Sequence, residues 1–269
     1  MEKQRADILL FEKGLAASRE KAKRTIMEGV VFVGNRRIDK PGEKINVDSE
    51  ITIKENPIQY VSRGGLKLEK ALNIFNIDLV DKIAIDIGAS TGGFTDCMLK
   101  MGAKKVYAID VGYGQLDWEL RNNPRVVVKE RTNIRYVTKD DIGELADFIS
   151  IDVSFISLKL VLPVAKELLT KEGSIMALIK PQFEAGRNKV GKKGLVKDKI
   201  IHKEVIQNMV EFCNTIGLDI IDLGFSPITG STGNIEFLSH ICKSDNNKKM
   251  ISEKTLSKII DDAHESLLV

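Results

Sequence analysis

The chain is poor in the residues that build metal centres and covalent frameworks. It has three cysteines, three histidines, one tryptophan and six prolines in 269 residues. Cys97, Cys213 and Cys242 lie far apart, with neither a Cys-x-x-Cys pair nor a Cys/His spacing suited to zinc. Reduced, buried thiols are expected, and no disulfide framework. His202, His240 and His264 are equally scattered, so no metal is assigned. Long apolar runs are also missing. The most apolar stretch, Phe148 to Leu169, is interrupted by Asp152, Lys159 and Lys166, which argues against a spanning helix. The start, MEKQRADILLFEKG, lacks the apolar centre of a signal peptide, and a cytoplasmic location is expected. With 43% apolar and 29% charged residues and no biased tract, the composition is that of a globular protein of two domains.

The net charge of +3 is unevenly placed. Residues 1–64 hold thirteen Lys/Arg and ten Asp/Glu, and the remainder is neutral, with 28 of each sign. In this basic segment Ala6–Phe11 reads as a helix broken by Gly14, and Ser18 caps a second helix ending near Gly29. Strands are expected at Val30–Val33 and Ile51–Lys54, with a turn at Gly34-Asn35. Ala22 and Ile26 recur at helical spacing and face a core, leaving Arg19, Lys23 and Arg24 for phosphate contacts or for an ordinary solvated face. The order Ser18-Arg19, Ala22-Lys23, Ile26, Gly29, Val31, Val33 and Gly34-Asn35 resembles the RNA-binding domain first described in the small-subunit ribosomal protein S-four. That resemblance implies that Arg19, Lys23 and Arg24 contact RNA.

Beyond a linker near Asn56-Pro57, a helix at Leu66–Phe75 precedes strands and helices that alternate to the C-terminus. Strands are expected at Ile83–Ile87, Val106–Ile109, Val126–Lys129, Phe148–Asp152, Ile175–Ile179, Leu218–Leu223 and Glu236–Ile241. Helices are expected at Gly92–Met101, Leu160–Leu169 and Lys199–Ile216. This alternation is that of an α/β, doubly wound, Rossmann-like sheet, preceded by a small α+β RNA-binding domain. The domains are drawn at 1–59 and 60–269.

The first of these strands runs into Asp86-Ile87-Gly88-Ala89-Ser90-Thr91-Gly92-Gly93, a glycine-rich turn opening a helix, and Asp110 follows the second strand 22 residues after Gly88. Such a turn takes a nucleoside cofactor, with Asp110 accepting from ribose hydroxyls. Asp86 is awkward beside a pyrophosphate but compatible with the cationic methionine moiety of S-adenosylmethionine, which is therefore favoured over a dinucleotide. Ser90 also replaces the second glycine of the dinucleotide pattern. Thr132 and Asn133 are placed at the adenine. Asp152 and Lys180 stand at strand ends, on the carboxyl edge where ligands bind, although a helix cap and a solvent-reaching lysine are equally good readings.

Five stretches together resemble the TlyA-type hemolysin group, ribosomal RNA cytidine-2'-O-methyltransferases with an FtsJ-related, class I catalytic domain. They are Val61–Leu68, Asp86–Thr95, Ile151–Phe155, Ile179–Glu184 and Gly233–Phe237. The resemblance implies a catalytic tetrad of Lys67, Asp152, Lys180 and Glu236, a further RNA contact at Arg63, and ribosomal RNA or ribosomal subunits as partner. It implies no obligate protein partner. Lys180 would orient or deprotonate the 2'-hydroxyl, which requires its pKa to be lowered by burial or by Lys67, with Asp152 and Glu236 holding the lysines. The competing readings are base N-methylation, a non-catalytic RNA-binding protein and a membrane-active toxin.

Overall fold

The computed structural model describes residues 3–27, 29–34, 36–53, 59–244 and 251–267, leaving out the side chain of Arg24. The linker expected at Asn56-Pro57 and the turn residue Asn35 lie outside these residues. The chain divides into two compact units, residues 1–63 and 64–269.

The first unit contains β1 (Lys3–Arg5), α1 (Ala6–Glu12), α2 (Arg19–Met27), β2 (Val31–Val33), β3 (Arg36–Arg37), β4 (Lys44–Asn46) and β5 (Ile51–Ile53). Strand β1 pairs with β4, and β2 lies between β3 and β5 in a three-stranded sheet. Ala6, Leu10, Ala22, Ile26, Val31 and Ile38 are fully buried and form its core. Ser18 Oγ accepts the Lys21 N–H at 3.1 Å and caps α2, as the sequence suggests.

The carboxylate of Asp7 is wholly buried yet ionised, because two arginines grip it. Arg5 donates from Nε at 2.9 Å and Nη2 at 3.1 Å, and Arg19 donates from Nε at 3.1 Å. Arg5 leads in holding the Asp7 pKa below the usual carboxylate range, against the opposing effect of burial. Asp7→Ala is expected to cost about 2 kcal/mol through loss of these charge-assisted bonds. Amide exchange in α1 and α2 of the full chain would read this as lost protection. Unchanged protection would mean that the pairs add nothing to stability.

The second unit runs α3 (Gly64–Phe75), β6 (Ile83–Ile87), α4 (Gly93–Lys100), β7 (Lys105–Ile109), α5 (Trp118–Arg121), β8 (Val126–Lys129), α6 (Lys139–Ile142) and β9 (Ala146–Ile151). It continues with α7 (Leu162–Leu168), β10 (Leu169–Ile179), α8 (Pro181–Glu184), α9 (Lys199–Thr215), β11 (Leu218–Phe225), β12 (Phe237–Lys243) and α10 (Glu253–Leu267). The seven-stranded sheet has the order β11-β12-β10-β9-β6-β7-β8. It is parallel from β10 to β8, and β12 runs antiparallel to both of its neighbours. Strands such as Ile-Ala-Ile-Asp-Ile are buried almost throughout, as parallel strands covered on both faces must be.

Three expectations need correction. The helix expected at Leu160–Leu169 is shorter, because a 3₁₀ turn at Leu158–Leu160 precedes it and Leu169 already pairs with Ala146 as strand. Asp152 and Lys180 lie one residue beyond strands that end at Ile151 and Ile179. Strict alternation also stops at β11, since β12 follows it with no helix between.

The chain proceeds from β6 outward through β7 and β8, then returns to lay β9 and β10 on the other side. The reversal lies between β6 and β9, and in such sheets the crevice that binds ligands lies outside the carboxyl ends at this point.

Candidate active site

Gly88 and Asp152 meet at that crevice. Gly88 has φ +88°, and a Cβ built on it would come within 2.5 Å of the Asp152 carbonyl oxygen, so only glycine fits. Gly92, at φ +95°, is similarly closed off by Leu120 and Leu116, whose Cδ1 atoms would lie 2.3 and 2.8 Å from an added Cβ. Between them Ser90 takes φ +49°, and its N–H donates to Asp110 Oδ2 at 2.8 Å. Asp110 Oδ1 accepts from the Gly112 N–H at 2.7 Å. A carboxylate accepts about four hydrogen bonds, so Asp110 keeps lone pairs for a diol. Thr91 accepts the Asp117 N–H through its carbonyl, and Gly93 opens α4. On the other flank, the Thr132 N–H donates to the Asp110 carbonyl at 2.9 Å, and Asn133 caps the short helix Ile134–Tyr136. The turn thus sets tightly packed glycine backbone beside a fixed carboxylate, which suits the adenosine of a nucleoside cofactor.

Asp86 makes its described side-chain hydrogen bonds to α4 and β9. Its carboxylate is fully buried, accepting from Thr95 Oγ1 at 2.7 Å and Ser150 Oγ at 3.2 Å. Burial outweighs these bonds and pushes its pKa up to about 7. Asp86 therefore ties β6 to α4 and β9 through its oxygens. Thr95 ends the Asp86–Thr95 stretch and Ser150 belongs to none, and neither is marked in the sequence as a partner of Asp86. Only their positions, one turn into α4 and next to last on β9, place them there.

Lys67, Asp152, Lys180 and Glu236 come together as one ionic cluster. Lys67 Nζ lies 2.6 Å from Glu236 Oε2 and 3.4 Å from Asp152 Oδ2. Lys180 Nζ pairs with Asp152 Oδ1 and donates to Ser154 Oγ at 3.2 Å. Asp152 is thus shared by both ammonium groups, while Glu236 holds Lys67 alone. Both lysines and Glu236 are buried, at 8%, 7% and 2% exposure, and two cations facing two anions make that burial tolerable. Burial works to lower the Lys67 pKa, but Asp152 and then Glu236 outweigh it and hold it above its ordinary value. Burial likewise opposes ionisation of Asp152, yet Lys67 and Lys180 keep its pKa below the usual carboxylate range.

The fold explains the meeting. Helix α3 carries Lys67, and β9 and β10 end one residue before Asp152 and Lys180. Strand β12 is antiparallel to β10, with Phe237 opposite Ile179, so the residue before its start, Glu236, arrives beside Lys180. Gly230 closes over it, since a Cβ there would lie 2.5 Å from Glu236 Oε1. In the turn after Lys180, Gln182 Oε1 is the one buried side-chain polar atom without a hydrogen-bond partner among the described residues. Phe155 stands 92% exposed at φ +64°, its ring 5.3 Å from that of Phe183.

The proposed RNA contacts are less free than the sequence suggests. Arg19 is engaged by Asp7, and Lys23 Nζ lies 2.5 Å from Glu20 Oε1. Both keep a partly exposed side chain. Arg63 packs over Gly29, where an added Cβ would meet its Cδ and Nη1 at 3.3 Å. The side chain of Arg24 lies outside the described residues.

The FtsJ-like methyltransferase family matches residues 60–243, and the S4 domain matches residues 4–51. YqxC of Bacillus subtilis, provisionally named an rRNA methyltransferase, is 54% identical over 98% of this chain and 95% of its own. The 16S/23S rRNA (cytidine-2'-O)-methyltransferase TlyA of Mycobacterium tuberculosis is 40% identical over 87% of each chain. A solved structure from Streptococcus thermophilus, provisionally named a hemolysin, is 47% identical with a TM-score of 0.79, covering 99% of this chain and 97% of that one. Among the described residues no helix is long and apolar enough to cross a membrane. Fold, site and relatives agree that this chain belongs to the FtsJ-like methyltransferase family, with an S4 domain ahead of the catalytic unit.

Proposed function

We propose that the protein transfers a methyl group from S-adenosylmethionine to the 2'-hydroxyl of a cytidine in ribosomal RNA, acting in the cytoplasm on ribosomal subunits. The observation that carries this reading is the buried Lys67–Asp152–Lys180–Glu236 cluster beside the glycine turn. When bound, S-adenosylmethionine supplies an electrophilic methyl carbon. Gly88, Ser90, Gly92 and Asp110 would hold it, with Thr91, Gly93, Thr132 and Asn133 around them. Asp86 would act from behind the turn, through Thr95 and α4.

The residues then have to align a ribose oxygen and dispose of one proton. Lys180 is fixed by Asp152 and Ser154, so its amine meets the 2'-oxygen in one orientation. In its neutral form it would accept the hydroxyl proton as the 2'-oxygen takes the methyl group and the methyl carbon–sulfur bond breaks, the cofactor leaving as the neutral thioether, and Asp152 would stabilise the resulting ammonium. Lys67, held charged by Glu236, keeps Asp152 in place. The S4 domain, residues 1–59 in this reading, brings the RNA through Arg19, Lys23, Arg24 and Arg63, with an affinity that falls as salt rises.

The test is alkaline hydrolysis of ribosomal RNA recovered after incubation with the protein and methyl-labelled cofactor. A methylated 2'-oxygen cannot attack the adjoining phosphate, so label is expected in alkali-resistant dinucleotides. Label in mononucleotides would mean base methylation and would overturn the ribose assignment.

A further inference from the structure

Phe155 and Ser154 lie on a segment that should not hold its shape alone. Phe155 is a bulky residue at φ +64°, a left-handed conformation that side-chain sterics disfavour, and its ring is almost wholly exposed. The segment starts rigidly, because the Asp152 N–H donates to the Ile87 carbonyl at 3.0 Å. Its far end is anchored by Leu158 in the core and tied to α8 by one carboxylate. Glu184 Oε2 accepts from Ser157 Oγ at 2.6 Å, and Glu184 Oε1 accepts from the Leu158 N–H at 2.8 Å. Glu184 belongs to α8, whose first residue follows Lys180 directly and whose Phe183 N–H donates to the Lys180 carbonyl at 2.9 Å.

We infer that Glu184 is a positioning residue for the transfer step, clamping the Asp152–Leu158 segment to the short helix built on Lys180 so that Asp152, Ser154 and the Lys180 amine keep one geometry. The inference rests on the methyl-transfer reading above. Glu184 lies in the sequence among the residues of a recognised stretch, yet its described hydrogen bonds go to Ser157 and Leu158 and none goes to the ionic cluster. Glu184 is half-buried, and burial raises the pKa of its carboxylate.

The experiment uses the full chain with ribosomal subunits and labelled cofactor, under single turnover. Rates are expressed per cofactor-binding site titrated in the same sample. Glu184→Ala is expected to slow transfer by roughly 30- to 100-fold, the scale of a small misplacement of reacting groups, with cofactor affinity little changed. Glu184→Gln should recover most of the rate, because its oxygen can accept from Leu158 and its amide can donate to a reoriented Ser157 hydroxyl. Ser157→Ala, which removes one of the two bonds from the other side, should give an intermediate rate. A purely structural role would lower the titrated site count and leave the rate per site alone. That result, or a Glu184→Ala rate within threefold of wild type, overturns the inference. Should Glu184→Ala not fold, Ser157→Ala decides alone, and a wild-type rate for it refutes the clamp. Label in mononucleotides from the wild-type protein would refute the ribose reading and leave the clamp to be judged by the same rates. No transfer by wild type would overturn both.

Discussion

Replacing Lys180 by alanine is expected to lower methyl transfer by about 10³-fold, the middle of the range for loss of a positioned acid–base group. Cofactor affinity is expected to stay within about twofold, because this interaction belongs to the transfer step rather than to ground-state binding. The side chain is 7% exposed, and its described polar contacts are Asp152 and Ser154 on the segment after β9. It makes no described hydrogen bond or ion pair to Gly88–Gly93. The substitution also leaves Asp152 with Lys67 alone, at 3.4 Å, so the pKa of Asp152 should rise toward the ordinary carboxylate range. Single-turnover transfer to ribosomal subunits measures the first effect, and calorimetric titration with cofactor measures the second. Parallel loss of both would move Lys180 from the chemistry to the cofactor site, and a rate above one tenth of wild type would remove it from the mechanism.

Asp86→Asn is expected to stabilise the protein at alkaline pH and to leave it unchanged in acid. The Asp86 pKa is raised to about 7 in the folded chain, against roughly 3.9 for an unfolded aspartate. Between those values the folded state binds the extra proton, so stability is complete below about pH 4 and is lost as pH rises through about 7. The difference amounts to a few kcal/mol at most. Asparagine keeps the shape, accepts from Thr95 and donates to Ser150, and carries no charge to desolvate. Melting temperatures of the two proteins should converge near pH 4 and separate above pH 7 in favour of the variant. A wild type that is the more stable at pH 8 would mean that the buried carboxylate has a cationic counterpart close by.

Motif-bearing positions proved readable because their chemistry is local. A glycine turn between strand and helix needs Gly88 and Gly92 for backbone reasons that the sequence displays, and Asp110 follows from the length of one strand–helix–strand unit. Relays between elements were not readable. Ser150 looks like an ordinary strand residue until Asp86 is seen to bind it, and Thr95 and Glu184 look like the ends of motifs until Asp86, and Ser157 and Leu158, are found as their partners. Arg19 shows the converse. Its charge suggests RNA, and its Nε is nonetheless bound to Asp7 twelve residues earlier.

Residue periodicity and strand-end chemistry, written along the chain, pointed to the two-part organisation, the parallel core strands, the glycine turn and the charges of Asp152 and Lys180, whereas Lys67 and Glu236 were indicated only by resemblance to a family. Which of those residues touch was decided only by tertiary structure. Lys67 and Glu236 are 169 positions apart and meet because β12 runs antiparallel beside β10, a reversal that no local pattern encodes. The same sheet order, with β9 beside β6, places the Gly88 turn against the Asp152 carbonyl and so brings the ionic cluster next to the glycine turn.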